Sequence, residues 1–176
     1  AVAEVLFGDY NPAGKLPLTF YRNLAQIPDF EDYNMTGRTY RYMKETPLFP
    51  FGHGLSYTTF KYGKLKMNDD KIAAGQNLNL VIPVTNTGSR DGDEVVQVYL
   101  KKMDDTEGPV KTLRAFKRVR IPAGKTVEVK FSLDDTQLEW WDEQSNTMRV
   151  CPGNYTVMIG GTSCEKSLLS RAFTIR

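Results

Sequence analysis

The residues that could carry hydrolytic chemistry in this sequence are its acidic pairs, because two carboxyl groups can divide the work of a nucleophile and a general acid. The pairs are Asp69-Asp70, Asp104-Asp105 and Asp134-Asp135. Each pair falls in a turn or on the exterior of a predicted strand, and no surrounding pattern would bury two carboxyl groups side by side. We therefore assign no catalytic residue to this chain.

The sequence offers little for a metal or a cofactor. His53 is the only histidine, and Cys151 and Cys164 are the only cysteines. A zinc site needs about four ligands, so we expect no metal and no organic cofactor. His53 lies between two glycines, which favours a structural role over a substrate contact. A predicted strand separates the two cysteines, and its length argues against a disulfide.

Two adjacent indoles, Trp140 and Trp141, could offer a stacking face to a sugar ring. Buried structural roles are more common for tryptophan. We therefore predict that one indole packs in or beside the core and that the other covers a hairpin.

A basic run without acids spans residues 111–120 and could bind a polyanion. Strand alternation would place its cations on both sides of a strand, with Leu113, Phe116 and Val119 as interleaved core residues. A solvated edge strand guarded by basic side chains is the favoured interpretation. The cations are Lys111, Arg114, Lys117, Arg118 and Arg120.

The stretch Arg38-Thr39-Tyr40-Arg41-Tyr42 carries the candidate substrate-binding residues. It combines planar cations and aromatic rings in a loop-like region, and loops on rigid scaffolds often carry recognition. Arg38, Tyr40 and Tyr42 are the residues we single out. The alternative is that this stretch packs against a neighbouring domain.

Composition excludes several functional classes. The chain has 176 residues, of which 40% are hydrophobic, and a net charge of +2. This charge is too near neutral to indicate a nucleic-acid partner, and no apolar run approaches the roughly 20 residues of a membrane helix. The first residues are typical of the middle of a helix, which we interpret as a sign of a fragment.

The elements that must position these residues are mostly strands. From about Leu55 onward, apolar residues alternate with polar ones in repeated short runs separated by turn formers. This pattern predicts an all-β, immunoglobulin-like sandwich of about seven strands. Tyr155 opens a late strand after a turn, where a tyrosine corner would lie. Residues 1–53 lack this periodicity and are rich in aromatics and prolines, so we predict a mostly irregular strap that wraps over another surface.

Several motifs in order resemble glycoside hydrolase family three. They cover nearly the whole chain: Asn11-Pro12-Ala13-Gly14-Lys15-Leu16-Pro17, Phe49-Pro50-Phe51-Gly52-His53-Gly54-Leu55-Ser56-Tyr57-Thr58, Val84-Thr85-Asn86-Thr87-Gly88, Gly92-Asp93-Glu94-Val95-Val96-Gln97-Val98-Tyr99, Pro109-Val110-Lys111-Thr112-Leu113-Arg114-Ala115-Phe116-Lys117 and Pro152-Gly153-Asn154-Tyr155. The resemblance implies that residues 1–53 are the tail of an α/β sandwich domain with its linker. It implies a fibronectin type III-like domain over residues 54–176.

The resemblance also implies where the chemistry lies. The family's nucleophile is an Asp on an N-terminal barrel, and its acid/base is a Glu upstream of Gly14-Lys15-Leu16-Pro17, so neither is in this chain. We expect an accessory segment, inactive by itself, of an exo-acting retaining β-glycosidase that removes terminal glucose or xylose. Its partners would be the barrel and α/β domains of the same polypeptide and, in the parent enzyme, an oligo- or disaccharide. The resemblance favours a secreted or periplasmic parent. A carbohydrate-binding module and an adhesion or dimerisation module are the alternatives.

Overall fold

The alternating apolar residues fold into two sheets packed face to face in a computed structural model, which describes residues 2–176. Within these residues the strands are β1 (Phe60–Tyr62), β2 (Lys66–Met67), β3 (Lys71–Ile72), β4 (Leu78–Asn86), β5 (Gly92–Lys102), β6 (Thr112–Ile121), β7 (Thr126–Leu133), β8 (Trp140–Asp142), β9 (Thr147–Arg149), β10 (Gly153–Gly160) and β11 (Leu169–Ile175). The α-helices are α1 (Val2–Phe7), α2 (Thr39–Tyr42) and α3 (Asp135–Leu138). Short 3₁₀ helices span Leu24–Gln26 and Glu165–Ser167.

The first sheet is built around β4. This strand pairs antiparallel with β7 on one side and with β1 and β2, end to end, on the other. The second sheet has the order β3-β11-β10-β5-β6 and is antiparallel except for the β3–β11 pair. The strands β8 and β9 form a separate hairpin beside the sandwich. The all-β, fibronectin type III-like sandwich predicted from the sequence is confirmed, with more short strands than expected.

One hydrophobic core lies between the two sheets. It takes alternate residues from β4, β5, β7, β10 and β11, and many of them are completely buried. Burying a side chain of the size of leucine or isoleucine stabilises a fold by about 1.5–3 kcal/mol. The core residues of β4 are Leu78, Leu80, Ile82 and Val84.

A break separates β1 from β2 along the same side of β4. The break faces Pro83 of β4, which has no N–H group to donate to a ladder. Gly63 instead donates its N–H to the Pro83 carbonyl over 2.8 Å. The proline therefore ends one short strand before the next begins.

The predicted tyrosine corner is present. Tyr155 is completely buried, and its hydroxyl donates to the carbonyl oxygen of Cys151 over 2.8 Å. Burial is the main reason that the pKa of the Tyr155 phenol lies well above its ordinary value. Cys151 and Cys164 are both free, in agreement with the sequence argument against a disulfide.

The edge strand β6 differs from expectation at Phe116, which is 66% exposed and not a core residue. Val98 of β5 faces Ala115, while Tyr99 faces Leu113, so Arg114 is an extra residue in a β-bulge. Ala115 and Val119 pack against the core. Because neighbouring side chains in a strand point to opposite faces, Phe116 points outward.

We predict that Tyr155→Phe lowers the free energy of unfolding by about 1–3 kcal/mol, because a buried carbonyl loses its donor. Urea denaturation measures the difference. Tyr33→Phe is the matched control, since Tyr33 is 88% exposed, and it should stay within about 0.5 kcal/mol of the parent. Equal effects of the two substitutions would contradict a stabilising role for the corner.

Candidate functional site: the seam between the N-terminal segment and the sandwich

The outward face of β5 is buried although the sequence pattern left it facing solvent. Gln97 is 3% exposed and Tyr99 is completely buried. The residues that cover them come from the N-terminal segment, residues 2–53. We call this contact the seam.

Tyr40 of α2 is the aromatic anchor of the seam. Its ring stacks on Phe51 at a centroid distance of 4.4 Å and meets Tyr99 edge-on at 5.8 Å. Its hydroxyl accepts the backbone N–H of Leu113 over 3.2 Å. Tyr40 thus joins the N-terminal segment to both β5 and β6.

The polar groups beneath Tyr40 are satisfied within the seam. The Tyr99 hydroxyl donates to the Gln97 side-chain oxygen, and the Gln97 amide donates to the carbonyl of Gly161 over 2.8 Å. Burial raises the pKa of Tyr99 far above its ordinary value. Because these donors have acceptors, the N-terminal segment can cover this face of β5 without leaving them unpaired.

A buried ion pair fixes one end of the seam. Lys15 Nζ lies 3.0 Å from Glu94 Oε1, and the Glu94 residue is only 6% exposed. Glu94 is the only buried acid among residues 2–176. Losing one partner of such a pair leaves an uncompensated charge, so the pair holds Lys15 in place.

Asn11 makes a second polar connection. Its amide donates to the Asp91 carbonyl over 2.9 Å, and its oxygen accepts the Ser56 hydroxyl and the Tyr57 backbone N–H. Further backbone bonds run from Val110 to the Arg41 carbonyl and from Ser163 to the Phe51 carbonyl. The segment is therefore attached at several points far apart in sequence.

Gly52 permits a close approach of the segment to β5. A Cβ atom there would lie 2.6 Å from the Gln97 side chain, and its φ of +80° is in the left-handed region. Both the space and the backbone conformation therefore exclude a larger residue. His53 follows with its ring 4.9 Å from that of Phe49 and its carbonyl bonded to the N–H of Leu16.

The three predicted substrate-binding residues lie in different surroundings. Arg38 is held in the turn before α2, where its guanidinium donates to the carbonyl oxygens of Asn34 and Asp32. Tyr40 is committed to the seam. Tyr42 lies beneath the Arg41 guanidinium, at 5.7 Å, and faces a cleft. Their contact with a substrate stays a prediction.

The cleft has a volume of about 680 Å³ and lies between α2, the β5–β6 loop and the β8–β9 hairpin. Trp140 is buried at its base and donates its indole N–H to Asp105 over 2.7 Å, whereas Trp141 is 50% exposed. The division of roles between the two indoles is confirmed. The Arg114 guanidinium lies 5.1 Å above the Trp140 ring.

The basic run is only partly solvated. Lys111 is 5% exposed and pairs with Glu165 at 3.3 Å, and Arg114 is half-buried. Arg118 and Arg120 are exposed and pair with Asp93 and Asp91. The edge position of β6 is confirmed, but the expectation of a wholly solvated set is wrong at Lys111 and Arg114. Lys111 lies just before β6 and faces Glu165, and Arg114 is the bulge residue that lies over the Trp140 ring.

Sequence reasoning missed the roles of Lys15, Glu94 and Gln97. The available indication was that all three residues lie inside two of the quoted motifs. The strand alternation did not indicate that these two motifs contact each other. Among the described residues, no cluster of three or more His, Cys, Asp or Glu side chains could hold a metal ion. No helix in residues 2–176 has the length and apolar character needed to cross a membrane.

Two family models match the chain. The Glycosyl hydrolase family 3 C-terminal domain matches residues 1–57, and the Fibronectin type III-like domain matches residues 94–163. Together they include Lys15 and Glu94, the two ends of the buried ion pair.

Relatives match over almost the full chain. A xylan 1,4-beta-xylosidase from Xylanibacter ruminicola is 50% identical over 99% of this chain and 20% of that protein. A periplasmic beta-glucosidase from Salmonella typhimurium is 38% identical over 94% of the chain and 23% of that protein. The structure of a β-glucosidase from Erythrobacter marinus has a TM-score of 0.83, with 36% identity over 99% of this chain and 23% of that one. The chain thus spans about a fifth to a quarter of the length of these proteins.

We predict that Gly52→Ala destabilises the chain by about 1–3 kcal/mol more than Gly75→Ala. Both glycines have a φ near +80°, so both substitutions share the left-handed strain, but only Gly52 faces the Gln97 side chain. Thermal and urea denaturation measure the difference. If both variants lose the same free energy of unfolding, backbone strain alone, and not the close approach to Gln97, explains the glycine at position 52.

Proposed function

Because this chain belongs to glycosyl hydrolase family 3, where it corresponds to the C-terminal part, we propose that it braces the catalytic domains of an exo-acting retaining β-glycosidase. The parent enzyme would hydrolyse terminal β-linked glucose or xylose by double displacement. The named activities of the β-xylosidase and β-glucosidase relatives support this substrate class. We assign the chemistry to residues outside this chain.

The observation that carries the proposal is the seam. The Lys15–Glu94 pair and the Tyr40 contacts attach the N-terminal segment to the sandwich at separate points. A rigid segment attached in this way can hold a neighbouring domain in a fixed orientation. No pair of acidic side chains in residues 2–176 is buried together, as a retaining mechanism requires.

The opposite face of the segment supports a docking role. Many of its large apolar side chains are exposed, and exposed apolar surface of this extent marks an interaction site. We propose that the barrel and α/β domains of the same polypeptide cover it. The most exposed of these residues are Val2, Leu6, Phe7, Leu24, Phe30 and Tyr33.

We place the division between the two units at residues 1–53 and 54–176, as the sequence pattern suggests. Residues 2–53 contribute short helices and turns with an isolated bridge between Phe20 and Phe49, whereas the paired strands begin at Phe60. The periplasmic relative supports a secreted or periplasmic location for the parent.

We predict that this purified chain does not hydrolyse aryl β-glucosides or aryl β-xylosides, while the full-length protein does. The reason is that no two carboxyl groups in residues 2–176 are buried side by side. Release of the aryl alcohol measures the rate, with full-length protein as the positive control. Turnover by this chain alone would overturn the assignment of the chemistry to other domains.

We predict that Tyr42→Ala in the full-length protein raises KM for a disaccharide about two- to tenfold, because an aromatic contact of roughly 0.5–1.5 kcal/mol is lost. The KM for an aryl monoglycoside should stay unchanged. Phe116→Ala is the control, since Phe116 is exposed on β6, lies outside the N-terminal segment and does not line the cleft. Unchanged disaccharide kinetics in a stable Tyr42→Ala protein would remove Tyr42 as a substrate contact.

A further inference from the structure

The cleft beside the seam brings together two arginines from distant parts of the chain. Arg41 belongs to α2, and Arg114 is the bulge residue of β6. Both line the cleft and both are half-buried. Among residues 2–176, neither has a carboxylate oxygen within the 4.0 Å distance of a salt bridge. Neither arginine therefore forms a direct ion pair, and the Glu139 carboxylate acts on Arg114 only from beyond that distance.

The two charges act on each other. Burial lowers the pKa of Arg114 below its ordinary value, and the nearby positive charge of Arg41 lowers it further. Arg114 is held by its position over the Trp140 ring and by a 2.8 Å bond to the Glu139 carbonyl. A bound anion would neutralise this repulsion, and it would be recognised through the planar guanidinium groups.

Hydrogen-bonding capacity is also unused in this cleft. Arg41 Nε, Arg114 Nε and Thr112 Oγ1 are enclosed and have no hydrogen-bond partner. Thr112 is 9% exposed. Buried polar groups without partners cost stability, and three of them at one cleft are unusual in a native protein. Two guanidinium groups and a hydroxyl together supply hydrogen-bond donors that complement the two acceptor oxygens of a carboxylate.

The acids around the cleft do not fill this role. Asp105 accepts the Trp140 indole N–H and the Gly108 backbone N–H, and Asp104 accepts the Asn154 N–H. Asp142 pairs with Arg149 at 3.2 Å. The remaining acids, Glu107 and Glu143, are exposed, and Lys102 adds a further positive charge. The acids of the lining are therefore either exposed or bonded to other groups, and none of them pairs directly with Arg41 or Arg114.

We propose that this cleft binds the carboxylate of an acidic sugar, that is, a uronic acid, with Arg41 and Arg114 as its cation clamp. The volume of about 680 Å³ is typical of a small-molecule site. Trp141, which is half-exposed at the cleft, adds an aromatic surface suited to a sugar ring. The choice of a sugar rests on the proposed glycosidase function, whereas the choice of a carboxylate rests on the arginines alone. We expect the guanidinium groups to turn so that their Nε atoms take part.

The test is a titration of this chain with sodium glucuronate, glucose and sodium acetate, followed by amide NMR shifts or calorimetry. We expect glucuronate to bind at least about tenfold more tightly than glucose, since a charged hydrogen bond is lost with the neutral sugar. Binding should weaken as salt is raised. Equal affinities for glucuronate and glucose, or no binding of glucuronate, would overturn the proposal. If acetate binds as tightly as glucuronate, the sugar is not recognised, and the site instead suits an acidic side chain from the rest of the polypeptide.

Arginine variants locate the site. Arg41→Gln and Arg114→Gln should each weaken glucuronate binding by roughly tenfold or more. Arg120→Gln is the matched control, because Arg120 lies on the same strand but pairs with Asp91 outside the cleft. The melting temperature shows whether Arg114→Gln, which removes the guanidinium from the Trp140 ring, still folds. If Arg114→Gln unfolds, Arg41→Gln alone tests the site. If both variants fold and bind glucuronate as tightly as the parent chain, Arg41 and Arg114 do not form the binding site. Hydrolysis by the full-length protein is unaffected by this result, so the two proposals fail separately.

Discussion

The arrangement of this chain depends on covering the outward face of β5. Tyr99 donates its hydroxyl to Gln97, and Gln97 donates its amide to the Gly161 carbonyl, so both side chains can leave water without losing their hydrogen bonds. Tyr40 and Phe51 then supply the apolar cover, and Gly52 lets the backbone approach. If this face were left bare, the N-terminal segment would lose its support, because that segment contains little regular secondary structure of its own.

The N-terminal segment has two faces with different physics. Its inner face combines the aromatic cover with directional polar contacts: the Lys15–Glu94 pair and the Asn11 bonds each require one geometry, so they fix the position of the segment. Its outer face is broad and apolar, with Phe30 and Phe7 almost fully exposed. Apolar burial is non-directional and scales with area. The segment is thus fixed to the sandwich on one side and offers apolar surface for burial on the other, as a brace between domains requires.

One irregularity in β6 has two consequences. The bulge at Arg114 shifts the register against β5 and leaves Arg114 outside the regular ladder. Arg114 then lies over Trp140 and near Arg41, so the local distortion also brings the two guanidinium groups to one cleft. Bulges often redirect side chains in this way near functional sites.

The sequence by itself determined the sandwich, the tyrosine corner at Tyr155 and the unequal burial of Trp140 and Trp141. The sandwich follows from local period-two patterns of apolar residues. The other two features follow from the preference of tyrosine and tryptophan for particular positions in such a fold. It did not determine the seam or the cleft. Alternation shows that Gln97 and Tyr99 share a face, but not that Tyr40 and Phe51, more than forty positions earlier, cover that face. Likewise, a bulge changes which neighbour a side chain meets without changing composition, so the approach of Arg41 to Arg114 was decided by tertiary contacts alone.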